Sequence, residues 1–244
     1  DGEERGPVSS ANDLDLADAP CDPRALLHAG LERMGLPASD RQLDQLVRYT
    51  NEIELWNPRL KLVAAYGSEL IVRHLLDSLA GWAALRRVAD TSSSNHLADL
   101  GSGAGLPGIP VAVMEPALRV DLVERSGRRA GFLRNAAAAL RLAHVRVVET
   151  DAERYEERPD LVVFRAFLPL TAALLTQLLA IVVPGGHICA YKGKLAAAQD
   201  ELASAGTTTT TGGPAGGREQ DVRIVPVEVP FLRAERHLVL IRRQ

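Results

Sequence analysis

The chain has 244 residues, 46% of them hydrophobic and 24% charged, with 20 glycines and 14 prolines. That composition excludes disordered, collagenous and repeat architectures and suits one large α/β domain with a helical appendage. Two cysteines, Cys21 and Cys189, are too few for a disulfide framework or a zinc cluster and fit a reducing compartment. The net charge of −3 divides into −5 over residues 1–20 and +2 over the remainder, so a mildly basic body follows an acidic stretch.

Residues 1–22 are expected to form a solvated tail, since they contain Gly2, Gly6, Pro7 and Pro20 and no apolar periodicity. An N-terminal helical lobe should span residues 23–90. In it, Ser39 and Gln42 make a capping box, and Leu43, Leu46, Val47, Thr50 and Ile53 follow at helical spacing until Pro58. A second helix over Ser68–Leu85 carries Ile71, Leu75, Leu79 and Trp82 on one stripe, with His74, Asp77 and Ser78 on a neighbouring face. The main domain, residues 91–244, alternates strands and helices. Its expected strands are Leu97–Leu100, Val120–Val123, Val145–Val148, Leu161–Phe164, His187–Tyr191, Ile224–Val229 and His237–Ile241. Helices between the first five predict a parallel sheet, and the short connection between the last two predicts an antiparallel hairpin at one edge. Thr207–Gly217 reads as a low-complexity loop. The longest apolar run, Ala172–Val183, is far shorter than the roughly 20 residues a membrane helix needs. With an acidic start unlike a secretory signal, the expectation is a cytoplasmic protein.

The strongest local signal is Asp99-Leu100-Gly101-Ser102-Gly103-Ala104-Gly105-Leu106-Pro107-Gly108, which follows a strand and opens a helix. Glycine there admits a ligand that a Cβ would exclude. Glu124 ends the second strand, where a carboxylate accepts both hydroxyls of a ribose. The spacing lacks the third glycine that seats a pyrophosphate at the helix start. S-adenosylmethionine carries no phosphate and needs no such seat. Asp151 after the third strand, placed for an adenine amino group, and the turn Pro184-Gly185-Gly186 before the fifth strand complete the pattern. Together they resemble the class I (Rossmann-like) methyltransferase fold: seven strands, mostly parallel, with an antiparallel strand at the edge and N-terminal helices before the sheet. Two competitors stand beside this reading. A nicotinamide-dependent oxidoreductase would want the missing glycine and a hydride-transfer pair. A non-catalytic ribosome-assembly factor would bind RNA without turnover.

The chain resembles the bacterial RsmG (GidB) family. Trp56-Asn57, Val72–Ser78, Asp99–Pro110, Ser126–Leu133, Arg165-Ala166-Phe167, Lys192-Gly193 and Glu235–Val239 carry the resemblance, which runs from about residue 25 to the C-terminus. It implies methylation of N7 of a guanine in 16S rRNA, position 527 in the rRNA count, with S-adenosylmethionine as cofactor. It also implies cofactor contacts at Gly101, Leu106, Ala152, Glu153 and Arg165, beside the readings of Gly103, Glu124 and Asp151. The chain departs from the family pattern in having Lys61-Leu62-Val63 where Asn-Leu-Thr is usual, and Phe164 where a serine commonly precedes the arginine.

Guanine N7 has a lone pair and no proton at neutral pH, so transfer needs alignment rather than a general base. No catalytic dyad is expected; His74, Asp77, Arg165 and Lys192 are candidates for the target-base pocket. For His74, Asp77 and Ser78 a structural role and a pocket role stand side by side. Between Arg125 and Arg146 lie six arginines and no acid. Arg125, Arg128, Arg129 and Arg134, with Lys192, are the candidate RNA contacts, the alternative being a solvated helix face. The expected partner is 16S rRNA or the small ribosomal subunit, met by a monomer without metal or membrane.

Overall fold

The computed structural model describes residues 13–89, 91, 94–165, 169–207 and 220–244. The first twelve residues of the expected tail, Ala166-Phe167 and most of the threonine-rich run lie outside them.

Helices α1 (Pro23–Met34) and α2 (Asp40–Leu60) lead into an unbroken helical run: α3 (Gly67–Leu70), a π-helical turn over Ile71–Leu76, and α4 (Asp77–Val88). α1 adds to the two expected helices. Its signals are local: Asp22 accepts from the Ala25 N–H, Pro23 opens the first turn, and Gly35 closes the helix at φ 67°. Both halves of the Ser39–Gln42 capping box form. α2 runs past Pro58 to Leu60, because a proline in the last turn removes only one N–H; Lys61, left-handed at φ 51°, closes the helix by donating to Asn57 O.

The sheet has the order β3-β2-β1-β4-β5-β7-β6. Its strands are β1 (His96–Leu100), β2 (Arg119–Val123), β3 (Val145–Val148), β4 (Leu161–Arg165), β5 (His187–Lys192), β6 (Gln220–Pro226) and β7 (His237–Arg243). The first five run parallel. β7 is antiparallel to both β5 and β6 and lies between them, so the hairpin forms the edge with β6 outermost. β6 begins earlier than the expected Ile224 and ends at Pro226, an edge position where a missing N–H costs the ladder nothing; one further bond follows, from Val227 N to Arg236 O at 2.8 Å. Helices α5 (Gly108–Met114), α6 (Gly127–Ala139), α7 (Ala172–Ile181) and α8 (Leu195–Ser204) flank the sheet. No α-helix joins β3 to β4, contrary to the expected alternation. That connection holds a single 3-10 turn, Ala152–Arg154; its charged run ending in Pro159 offers no apolar stripe to bury.

Residues 13–22 correct the tail expectation. Leu14 bridges Leu232, the Asp15 N–H donates to Phe231 O at 2.9 Å, and Leu14, Leu16 and Ala19 pack against the core. One apolar cluster runs from Leu26, Leu46 and Ile53 through Leu75 and Ile109 to Leu122 and Leu240, so the helical lobe and one sheet face share a core. Phe164, Leu178, Ile188 and Leu202 belong to a second cluster.

Candidate active site

The C-terminal ends of the parallel strands are where an open α/β sheet places its ligands. There Gly101, Gly103 and Gly105 all take positive φ, at 67°, 58° and 88°. The Ser102 N–H donates to Val123 O at 3.0 Å, tying the loop to the tip of β2. Glu124, the next residue after β2, is buried and doubly held: Oε2 accepts from Gly103 N at 2.9 Å and Oε1 from Ser126 N at 2.8 Å. The glycines serve different ends. A Cβ at Gly105 would come within 2.5 Å of Ile109, and one at Gly108 would run into Leu122; both are required by packing beneath the loop. A Cβ at Gly103 would make only an ordinary contact, with Gly101 O at 3.7 Å, so what calls for glycine there is its positive φ and not packing beneath the loop. From the helical lobe, the Tyr49 hydroxyl donates to Ala104 O at 2.5 Å.

Asp99 lies under this loop, fully buried. Its Oδ2 accepts from the Ser102 hydroxyl at 2.7 Å and the Gly108 N–H at 3.0 Å, while Oδ1 has no hydrogen-bond partner among the described residues. Burial raises its pKa to about 6 against the opposing pull of those two hydrogen bonds.

Four residues from three distant segments meet beside the loop. Arg165, at the end of β4, donates Nη1 to Asp77 Oδ2 at 2.9 Å and Nη2 to His74 Nδ1 at 2.7 Å. Arg236, next to the start of β7, donates Nε to Asp77 Oδ1 at 3.1 Å. One carboxylate thus orients two guanidinium groups. A guanidinium only donates, so His74 Nδ1 carries the lone pair and the ring proton sits on Nε2. Burial, then the charges of Arg165, Arg236 and Arg73, lower the His74 pKa to about 3, and the ring is neutral at pH 7. Ser78 donates to His74 O at 2.6 Å, and the Tyr191 hydroxyl donates to Ser78 O at 3.0 Å. Sequence reading did not single out Tyr49, Tyr191 or Arg236 as site residues. Arg236 had a signal, since it lies within the Glu235–Val239 motif.

Lys192, at the end of β5, is bound by Glu201 at 2.5 Å, and Glu201 also accepts from Leu170 N. Leu106 is buried in the glycine loop. Asp151 caps the short turn containing Ala152 and Glu153, with Asp151 half-buried and Glu153 exposed. Among the arginines, Arg134 pairs with Glu149 at 2.8 Å, and Arg146 with Asp121 and Glu157. Acids from elsewhere in the chain therefore neutralise part of a run that contains none. Arg125 and Arg128 are exposed and Arg129 half-buried. A cavity of about 500 Å³, lined by Asp160, Gly185, Gly186, Arg223 and Arg242 among others, lies at the opposite, N-terminal end of β5. The Pro184–Gly186 turn therefore opens β5 from the far side. Among the described residues there is no group of His, Cys, Asp or Glu able to hold a metal, and no helix long and apolar enough to cross a membrane.

Residues 42–213 match the family model described as rRNA small subunit methyltransferase G. The chain belongs to this family. Over 235 residues it is 38% identical to Ribosomal RNA small subunit methyltransferase G of Xanthomonas euvesicatoria pv. vesicatoria, covering 94% of this chain and 99% of that one. Over 228 residues it is 39% identical to the protein of the same name from Stenotrophomonas maltophilia, covering 91% and 96%. Solved structures show the shared fold at lower identity. A point mutant of MtNAS in complex with S-adenosylmethionine aligns at TM-score 0.50 and 14% identity, covering 90% of this chain and 77% of that one. The methyltransferase SibL in its apo form aligns at 0.50 and 18%, covering 89% and 73%. The sheet is that of a Rossmann-like methyltransferase, as its order and flanking helices anticipate. Four of the motifs that carried the resemblance to the G family converge at this one end of the sheet: Val72–Ser78, the glycine loop, Arg165 and Arg236. Asp77 and Arg236, which touch there, are 159 residues apart in the chain.

Proposed function

We propose that this chain transfers a methyl group from S-adenosylmethionine to N7 of a guanine in 16S rRNA, presented as free RNA or within the small ribosomal subunit, and does so in the cytoplasm. The observation that carries the reading is Glu124, a buried carboxylate fixed at the tip of β2 by two backbone N–H groups, one of them from Gly103 of the glycine loop. Each of its oxygens accepts one N–H and retains a lone pair for a ribose hydroxyl. The residues fit the cofactor in charge as well. The unsatisfied Oδ1 of Asp99 under the crevice favours a ligand with cationic centres, and no anion seat of the kind a pyrophosphate uses is built into the loop. Bound there, S-adenosylmethionine would supply an electrophilic methyl on a sulfonium.

The protein's own part is alignment. Asp151, Ala152 and Glu153 lie at the adenine side, and Gly101, Gly103 and Leu106 form the loop against which the cofactor lies. Two guanidinium groups on the single carboxylate of Asp77 leave a net positive charge, suited to a carboxylate, a phosphate or guanine O6. Arg165 must not occupy N7, since a donor there would block the nucleophile; its Nη1 and Nη2 are already held by Asp77 and His74. Neutral His74 takes no proton at neutral pH, in keeping with a reaction that needs no base. Arg125, Arg128 and Arg129 are left to meet RNA phosphates.

The test is incubation of unmodified small subunits with methyl-labelled cofactor, followed by mapping of the labelled base. Label at one guanine N7 is the expected result; absence of label, or label on another atom, overturns the proposal. Glu124→Ala should weaken cofactor binding at least tenfold, by the loss of two charge-assisted hydrogen bonds worth about 1.5–3 kcal/mol each, as read by isothermal titration.

A further inference from the structure

Helices α2 and α6 lie side by side, and three contacts fix their register. Gln45 Nε2 donates to Leu140 O at 2.6 Å, Asn135 Nδ2 donates to Glu52 Oε2 at 3.0 Å, and the Trp56 ring meets Phe132 edge-on with centroids 6.5 Å apart. As α2 advances, its partners on α6 recede, so the helices are antiparallel. Gln45, Glu52 and Trp56 share one stripe of α2, and the next residue on that stripe is Arg59, three positions on. On α6 the residue that continues the stripe past Phe132 is Arg128, four positions back. The seam therefore ends with an arginine from each helix. It ends at the Trp56 end of α2, the same end of the sheet at which Tyr49 reaches the glycine loop.

Arg59, Lys61 and Arg128 are all exposed, and none has an ion pair or hydrogen bond from its side chain among the described residues. The acids nearest on α2 are engaged, Glu52 with Asn135 and Glu54 with the Gly67 N–H. Lys61 adds a second oddity. It caps α2 at φ 51°, a conformation that glycine and asparagine adopt more readily than lysine. A third observation is independent of charge: Leu55 and Tyr66, respectively 70% and 56% exposed, border the same end of α2, as an interaction surface would.

We infer that the end of the α2–α6 seam is a phosphate-binding seat, in which Arg59 and Lys61 join Arg128 to hold the backbone of the substrate RNA. The inference rests on the function proposed above and extends its RNA surface from the sheet domain onto the helical lobe. Three like charges without counter-ions are best met by a polyanion, and the RNA backbone is the polyanion that the proposed reaction brings to the protein.

The experiment is a titration of unmodified 16S rRNA against the full chain across a salt series, with Lys61→Asn, Arg59→Gln, their double variant, and Arg128→Ala with Arg129→Ala. Lys61→Asn keeps the helix cap, so its melting temperature should not fall. Each of the first two changes is expected to reduce the salt slope of log affinity by about 1 and to weaken binding roughly three- to tenfold, with cofactor affinity unchanged. An unchanged slope in the double variant, while the Arg128/Arg129 variant is weakened, overturns the seat and leaves the function standing. Normal binding to free RNA with weakened binding to the intact subunit also overturns it, assigning the surface to a protein. If the unaltered chain shows salt-dependent binding neither to free 16S rRNA nor to the unmodified small subunit, the proposed function itself fails.

Discussion

His74 and Asp99 both have shifted pKa values, and the shifts act on stability in opposite directions. His74 is held near 3, below its ordinary 6.5, so the unfolded chain takes up its proton first. Its contribution is complete above pH 6.5 and is lost as pH falls from there towards 3, by about 1.4 kcal/mol per pH unit at most. Asp99 is held near 6, above its ordinary 3.8, so the folded state binds the proton first. It destabilises above pH 6 and is relieved as pH falls towards 3.8. His74→Gln, which keeps an acceptor for Arg165, should therefore become more stable relative to the parent as pH drops from 6.5 to 4.5. Urea midpoints measured across that range check it, and parallel curves would show that His74 is not buried neutral. Asp77→Asn removes the charge that two guanidinium groups share while keeping the shape. Allowing for the partial exposure of Arg165 and Arg236, a loss of about 2 kcal/mol in stability is expected, with methyl transfer at least tenfold slower, read by denaturation and by initial rates. None of this cluster's geometry is visible in the sequence. Asp77, Arg165 and Arg236 are separated by 88 and 71 residues, and only the fold joins them. Their residue types and the glycine loop are legible, because those signals are short and contiguous.

Among the elements, α5 shows packing overruling intrinsic preference. Gly108 is its first residue, and alanine there would ordinarily favour a helix. An added Cβ would collide with Leu122 and lie 2.8 Å from Asp99 Oδ2, so Gly108→Ala must shift the buried Leu122 and Asp99 side chains or the helix itself. A destabilisation of about 1–3 kcal/mol is expected, with weaker cofactor binding, measured by thermal melting and titration; a rise in melting temperature would refute the packing argument. Element boundaries follow the same division. The capping box of α2 is legible because Ser39 and Gln42 satisfy each other. The π-helical turn over Ile71–Leu76 is not, since no capping or breaking residue marks where it begins or ends. The run of arginines from 125 to 146 misleads for a related reason: Glu149 and Asp121, on other segments, neutralise Arg134 and Arg146.

For the whole molecule, the shared core decides cooperativity. Leu46 and Ile53 of the lobe and Leu122 and Leu240 of the sheet belong to one cluster, so the boundary expected near residue 90 does not separate two independently stable units. A single calorimetric transition is expected, with the calorimetric enthalpy equal to the van't Hoff value; two resolved transitions would contradict the common core.

β7 lies between β5 and β6, and Arg236 directly precedes it. A nascent polypeptide leaves the ribosome N-terminus first, so β6 emerges with no strand to pair with until residues 237–243 have followed. Until then β5 has β4 alone as its neighbour, and Asp77 waits for its second arginine until the same moment. The pair of guanidinium groups on Asp77 is therefore assembled only when β7 takes its place between β5 and β6, after the glycine loop has already been made.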